Sequence, residues 1–421
     1  MAVLNFIPAE FAPLSGALAV WQWLAARQFP LHRKIAVPGF APAVSILKPL
    51  KGGDETTAAS LASWFEQNYA GPMEIIFGVA AAADPVCEIV RRLIAENPAI
   101  PAKLIVCGNL SGANAKITKL AQLEKLAAHD LILISDADVR VPRDFLASFV
   151  APFHEPERRS PTRLVDRRKR AGSETGAPVG LVNCFYRLAN PANIAMRWEA
   201  IAVNADFWSQ VLQSQTLKPL HFALGAAILV RRSALAQIGG FAALADCLAD
   251  DYQLGSRIAK NGHRLALCPV VVECWDAPQS WRQVWKHQLR WARTIRVCQP
   301  APYFFSILSN VTLWAALWFI SELPKLSALL AQPGNRHDFQ FSFGLPWGMI
   351  IAVMLCLLRI ILAQDLQRRF TPERDLVSPF WLVPVRDFLN AAIWLLAFLG
   401  STVEWRGRKM KVRRDGMLEE I

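Results

Sequence analysis

Leu131-Ile132-Leu133-Ile134-Ser135-Asp136-Ala137-Asp138 is a short apolar run that stops at two carboxylates one residue apart. A run this brief, all apolar rather than alternating, reads as a strand buried on both faces, and such strands belong mostly to parallel sheets. The same signals recur upstream. Strands are expected at 44–47, 74–79 and 103–106, and helices over 57–67, 85–96 and 116–128. The alternation predicts an α/β domain with a mainly parallel sheet covered by helices, and places its binding crevice at the carboxyl ends of the strands. Chemistry is therefore sought just after strands.

Around this domain the chain turns apolar. Its 421 residues are 53% hydrophobic, which excludes a disordered chain, and they carry 46 Lys and Arg against 34 Asp and Glu, a net charge of +12. Fifteen Trp in a basic chain fit a protein that meets a membrane through apolar segments and cationic surface together. Nucleic acid is the competing explanation of the charge; the apolar segments favour a lipid bilayer, and no nucleic-acid partner is expected. The eight cysteines contain no C-x-x-C pair and fall mostly in apolar runs, so they read as reduced, buried thiols rather than a disulfide framework or a zinc site.

Crossing the hydrocarbon core takes about 20 apolar residues. Candidates lie at 4–26, 303–323, 343–363 and 379–400. Arg27, His32, Arg33 and Lys34 follow the first candidate, which marks an uncleaved anchor and places the central domain in the cytoplasm; Arg368, Arg369 and Arg374 after the third agree. If the fourth segment crossed fully, the basic tail at 405–411 would end on the opposite side, and Arg386-Asp387 would lie in the bilayer at considerable cost. The expected arrangement is three spans, with the last segment lying in or re-entering the interface. The domains are then an anchor at 1–35, a catalytic domain at 36–300, membrane segments at 301–402 and a basic cytoplasmic tail at 403–421. A stretch at 155–178, rich in Arg with Pro, Ser, Thr and Gly, reads as a solvated insertion, either drawn to anionic headgroups or a plain flexible loop.

Several residues could carry chemistry. Asp136 and Asp138 at a strand end can hold a hard divalent cation, Mg2+ or Mn2+, that neutralises a diphosphate; an acidic turn is the bland alternative. Asp250-Asp251 at the start of a helix either complement its dipole or supply a general base whose pKa the crowded neighbour raises. Arg290 and Trp291 follow His287 on an amphipathic stretch; they are interfacial anchors, or a clamp for a leaving diphosphate with an aromatic wall beside the acceptor. Lys48 and Lys51 are candidates for a uridine or phosphate contact and Lys116 for the diphosphate, with solvated lysines as the plain reading. The small residues Leu224-Gly225-Ala226-Ala227 allow a close backbone approach to a sugar, or simply pack.

Read together, Lys48-Pro49-Leu50-Lys51-Gly52, Asp84-Pro85, Asn114-Ala115-Lys116-Ile117, Asp136-Ala137-Asp138, Asp250-Asp251-Tyr252, Arg290-Trp291 and the tail from Trp405-Arg406-Gly407-Arg408 to Glu419-Glu420-Ile421 resemble the ceramide glucosyltransferase family over nearly the whole chain. The resemblance implies a bacterial inner-membrane protein with a GT-A-type nucleotide-sugar domain, in which a UDP-sugar is the donor and a lipid hydroxyl the acceptor, with inversion. It makes Asp84 a donor-site residue, Asp136 and Asp138 the diphosphate-metal carboxylates, Asp251 the base, and Arg290 with Trp291 the end of a (Q/R)-x-x-R-W motif. The chain departs from the pattern in three places. Asp84 stands alone after Ala80-Ala81-Ala82-Ala83, His287 occupies the Gln or Arg position, and the basic insertion is extra.

The expected reaction is a single displacement. Ceramide with UDP-glucose is the first assignment and a hopanoid with N-acetylglucosamine the alternative, since hopanoid-associated transferases look similar to this family. A processive polysaccharide synthase would normally have more spans. A transporter or non-catalytic lipid-binding scaffold, the reading from another class, has no need of the ordered carboxylates.

Overall fold

The apolar run at 131–134 does become a strand, and every residue of it is buried. The structure, a computed structural model, describes residues 2–108, 112–154, 176–331, 346–405, 408–413 and 417–420. Almost all of the basic insertion, the start of the third expected span at 343–345, and Arg406 and Gly407 of the tail lie outside the described residues.

Eight strands form one sheet: β1 (Val44–Pro49), β2 (Met73–Val79), β3 (Ala102–Val106), β4 (Leu131–Ser135), β5 (Val139–Arg140), β6 (Val179–Leu188), β7 (Ala227–Arg231) and β8 (Arg264–Cys274). They lie in the order β3-β2-β1-β4-β7-β6-β8-β5. The pairs β1/β2, β2/β3, β1/β4 and β6/β8 are parallel. The pairs β4/β7, β6/β7 and β5/β8 are antiparallel. The sheet is thus mixed, and the expectation of a mainly parallel sheet describes only its β1–β4 half. The physical reason is that a buried apolar strand carries no mark of its direction. β7 enters beside β4 from the opposite side, and its register sets Ser135 opposite Ala227. That pairing brings the loop before β7 to the carboxylates after β4.

The helices of this half begin where their caps put them. Asn114, fully buried, accepts hydrogen bonds from the Lys116 and Ile117 amides at 3.1 and 3.2 Å and so starts the helix Ala115–Glu124. Val86–Glu96 packs Val86, Val90 and Leu93 inward at helical spacing. Ile46, Phe77, Leu133, Val182, Leu229 and Val272 form the centre of the core with no exposed surface, each such side chain contributing about 1.5–3 kcal/mol of burial. The eight cysteines form no disulfide with one another, and six of them are buried.

The chain divides into two compact units. One comprises Pro30–Asn190, Lys218–Ala277 and Met410–Ile421 and holds the sheet. The other comprises Met1–Phe29, Pro191–Leu217 and Pro278–Lys409 and is built from helices. Segments 191–217 and 278–300, assigned from sequence to the central domain, pack within this helical unit. By length and composition, one helix among the described residues, Trp347–Phe370, is able to cross a membrane. Pro300–Ser309 and Val311–Ala328, bent by 51°, make a second if taken as one broken span. The last apolar segment is the 17-residue helix Leu382–Phe398, which rises about 25 Å. Asp387 in it is paired: Arg359 donates to its carboxylate at 2.8 and 3.0 Å and Thr312 at 2.5 Å. Arg386 lies over the Trp198 ring at 5.3 Å.

Candidate active site

Asp136 and Asp138 leave the carboxyl end of β4 as the sequence predicts. Lys48, at the matching end of β1, has no exposed surface and points beneath them. Its ammonium donates to Ser135 Oγ at 3.2 Å and to the carbonyl oxygen of Asp136, and stands 4.5 Å from the Trp64 ring. Burial pulls its pKa down to about 7, against the attraction of Asp138 and Asp136. Lys48 therefore braces the acidic turn from behind, whereas Lys51 is exposed.

Asp138 is crowded by its own kind. Burial first, then Asp136 and Asp276, push its carboxyl up to about 7. Asp276 follows β8 and is held by reciprocal bonds with Asn190: the Asp276 amide donates to Asn190 Oδ1 at 3.0 Å, and Asn190 Nδ2 donates to the Asp276 carbonyl at 2.8 Å. Crowded carboxylates of this kind fit a hard divalent cation, which relieves their repulsion. Among the described residues no group of three or more His, Cys, Asp or Glu is arranged to hold a metal ion. The donor set fits an ion bound by two carboxylates and completed by substrate oxygens.

Lys116 ties this turn to the second acidic motif. Its ammonium lies 2.7 Å from Asp136 Oδ1 and 3.3 Å from Asp250 Oδ2, with 17% of the side chain exposed. Burial would lower its pKa, but Asp136 and Asp250 overcome that and hold it raised. The geometry originates in Asn114, whose side chain donates to the Cys247 carbonyl at 3.1 Å while its amide donates to Ala245 at 2.8 Å. One capping residue thus fixes both the start of the Lys116 helix and the loop that leads into Asp250.

Asp250 and Asp251 open the helix Asp250–Lys260. Burial, then the Asp250 charge, raise Asp251 to about 6; the Tyr252 amide, donating to its Oδ1 at 2.7 Å, and Lys116 oppose that. Two glycines shape its surroundings. A Cβ on Gly255 would lie 2.1 Å from the Ala223 nitrogen, so only glycine lets this helix approach the 222–223 backbone so closely. A Cβ on Gly225 would lie 3.1 Å from Asp251 Oδ2 and, its chain neighbours aside, would meet no other described residue within 4 Å, so this glycine keeps the space before the carboxylate open. Next to it, Ala226 adopts φ +73°, an uncommon conformation for a residue with a side chain, and its carbonyl accepts the Asp136 amide at 3.2 Å. Asp84 bonds elsewhere. It accepts the Gly52 amide on both oxygens, at 3.0 and 3.1 Å, and the Val86 amide at 3.1 Å, fixing the Lys51-Gly52 turn after β1.

Arg290 and Trp291 belong to the helical unit, on the capped helix Trp281–Cys298, and both are half-buried. His287 on the same helix meets Glu199 and Trp291. The sheet unit thus gathers Lys48, Lys116, Asp136, Asp138 and Asp251, with Asp84 on the neighbouring turn. Sequence reasoning missed Asp276, Gly255 and Glu199. Asp276 had a usable signal, an acid just beyond the apolar strand β8, and Gly255 had another, a glycine inside a helix. Glu199 is a single acid in an apolar helix and gave none.

The family model of glycosyl transferase family 21 matches residues 13–418. Ceramide glucosyltransferase 1 of Caenorhabditis elegans is 21% identical over 401 residues, 93% of this chain and 76% of the relative. An N-acetylglucosaminyltransferase of Bradyrhizobium diazoefficiens is 23% identical over 395 residues, 88% of this chain and 72% of the relative. Among solved structures, a mannosyltransferase from Pyrobaculum calidifontis in complex with GDP-Man and Mn2+ is similar with a TM-score of 0.49 and 18% identity, over 92% of this chain and 99% of that one.

Proposed function

The chain belongs to glycosyl transferase family 21, and we propose that it is a membrane-bound, inverting transferase that moves glucose from UDP-glucose to a hydroxyl of the membrane lipid ceramide. The observation that carries this reading is Asp251: a carboxyl raised to about 6, beside the opening that Gly225 leaves, on the same network as Asp136 through Lys116 and Asp250. Such a carboxylate is matched to removing a hydroxyl proton near neutral pH.

In the proposed step the acceptor oxygen attacks the anomeric carbon as its proton passes to Asp251. The bond from that carbon to the β-phosphate oxygen breaks, and UDP departs with the electron pair. One displacement inverts the anomeric centre. Asp136 and Asp138 would hold a divalent ion, Mg2+ or Mn2+, which when bound supplies charge neutralisation of the diphosphate. Lys116 holds Asp136 in place beside it. Lys48 braces the turn from beneath, and Asp84 orders the loop after β1 for the nucleotide. Arg290 and Trp291 serve the leaving diphosphate and the acceptor, a role that rests on the (Q/R)-x-x-R-W resemblance. The apolar helices anchor the protein in the bacterial inner membrane in several passes, with the sheet unit cytoplasmic, so that the lipid reaches a polar site without leaving its leaflet.

The likeness to the Bradyrhizobium N-acetylglucosaminyltransferase supports a second reading, in which an N-acetylglucosamine is transferred, with a hopanoid polyol as acceptor. Mass spectrometry of lipid products, after incubating membranes that contain the protein with a panel of UDP-sugars and with ceramide and hopanoid acceptors, separates the two. A hexosylceramide supports the first reading. An aminosugar adduct of the hopanoid supports the second, and no product with any pair refutes both.

A further inference from the structure

The sheet unit holds a cavity of about 400 Å³ at the end of the strands opposite Asp136. Phe40, Pro42, Leu131 and Phe153 give it apolar walls, and Arg231, His129 and Asp130 add polar groups. Its volume falls in the range of small-molecule sites, about 300–1,000 Å³. Two strands end here. Leu131 opens β4, Arg231 closes β7, and the two residues are paired in the sheet. The other end of the same pairing, Ser135 with Ala227, lies beside the carboxylates, about 13 Å away at roughly 3.3 Å per residue.

The walls are fixed by the protein itself. The Ala128 amide donates to Glu74 Oε1 at 2.7 Å, the His129 amide donates to Ser45 Oγ at 3.0 Å, and that hydroxyl donates to the same Glu74 oxygen at 2.7 Å. Arg232 holds the same loop, its Nη2 donating to the carbonyls of Ala127 and His129, both at 2.7 Å. Arg231 differs from its neighbour. It is half-buried, with its guanidinium carbon 5.1 Å from the centroid of the Phe153 ring, and among the described residues that guanidinium makes no hydrogen bond or ion pair. A cation whose one partner is an aromatic face keeps its N–H donors for a ligand. Asp130 is exposed, where water screens its charge.

We propose that this cavity binds a small amphiphilic anion: a carboxylate or phosphate monoester held by the Arg231 guanidinium, with an apolar or aromatic body against Phe40, Leu131 and Phe153. The planar fork of an arginine matches either acid, and the walls remove the body from water. Because the acids of the candidate active site stand at the other end of β4, the ligand and a nucleotide do not compete. This second site goes beyond the transfer reading and needs no step of it.

The test is calorimetric titration of the full chain in detergent with 4-phenylbutyrate, phenyl phosphate and the neutral 4-phenylbutanol, each corrected for its titration into detergent alone. An acid probe is expected to bind with a Kd of about 1 mM or tighter, and a preference for one acid identifies the anionic group. The alcohol should bind about tenfold more weakly, the loss of one charge-assisted hydrogen bond. Arg231→Gln should weaken the acid probes by the same factor with its unfolding midpoint near wild type. Ala128→Trp, which puts an indole into the cavity from its rim, should abolish their binding. Saturating UDP with Mn2+ should leave their affinity unchanged. The proposal is overturned if neither acid binds up to about 10 mM, if the alcohol binds as tightly as the acids, if UDP displaces them, or if neither variant weakens them. Should Arg231→Gln fail to fold, Ala128→Trp and the alcohol still decide.

Discussion

The ammonium of Lys116 sits 2.7 Å from Oδ1 of Asp136. Through its second contact, at 3.3 Å to Asp250, it joins the turn after β4 to the start of the Asp250–Lys260 helix, bridging two acids 114 residues apart in the sequence. A single cation thus offsets the repulsion among Asp136, Asp250 and Asp251. Lys116→Met should leave those acids to repel one another. The acid limb of the transfer rate is expected to move up by about one pH unit, the effect of losing one opposite charge at contact range. A limb that stays in place would separate Lys116 from the base.

The sign of the pH dependence follows from Asp251. Burial and Asp250 favour its protonated form, so it is ionised, and able to accept a proton, only above about 6. Transfer by the wild type should be constant just above that value and fall tenfold per unit below it, measured as initial rate against pH. Activity that rises on acidification would contradict a carboxylate base.

The two glycines should separate stability from turnover. Gly255→Ala places a methyl 2.1 Å from the Ala223 nitrogen and 2.6 Å from the Phe222 carbonyl carbon, and neither is a side chain that can swing away. A loss of at least about 1–3 kcal/mol is expected, read as a lower unfolding midpoint.

Among the described residues, and its chain neighbours aside, Gly225→Ala meets only the Asp251 carboxylate. Its unfolding midpoint should stay near wild type while transfer to the lipid falls more steeply than UDP affinity. Equal losses in both would place the cost elsewhere than at the acceptor side of Asp251.

In the helical unit, Arg359 donates to Asp206 at 2.9 Å and to Asp387 at 2.8 Å, and all three side chains are at most 15% exposed. Arg359→Met takes from two buried carboxylates the cation that hydrogen-bonds both and should destabilise the protein by about 3–5 kcal/mol, seen as a lower melting temperature in detergent. Asp387→Asn, which can keep a hydrogen bond, should cost less.

The parts of the fold visible in the sequence are those that a local pattern encodes. Strands β1 to β4 follow from short apolar runs, and Asp136 and Asp138 from the place where such a run stops. Strand direction has no local signature, so the antiparallel entry of β7 beside β4, which brings Gly225 and Ala226 to the site, was not legible. Lys48 and Lys116 are both lysines that read from sequence as solvated, yet one is sealed under Trp64 and the other bridges two acids; only the packing distinguishes them. Residues 194–215 are helical and largely apolar, which fits either unit, and their company in the helical one is a matter of tertiary contact. The pairing of Glu199 with His287 spans 88 residues and lies beyond any spacing rule.

The most direct test of the account is the transfer rate of Asp251→Asn, measured beside its affinity for UDP. Asn keeps the size of the side chain and removes its ability to take a proton. The predicted result is a fall in transfer of about 10²–10⁴-fold with UDP affinity within a few-fold of wild type. Transfer at a rate near that of the wild type would contradict the assignment of Asp251 as the base.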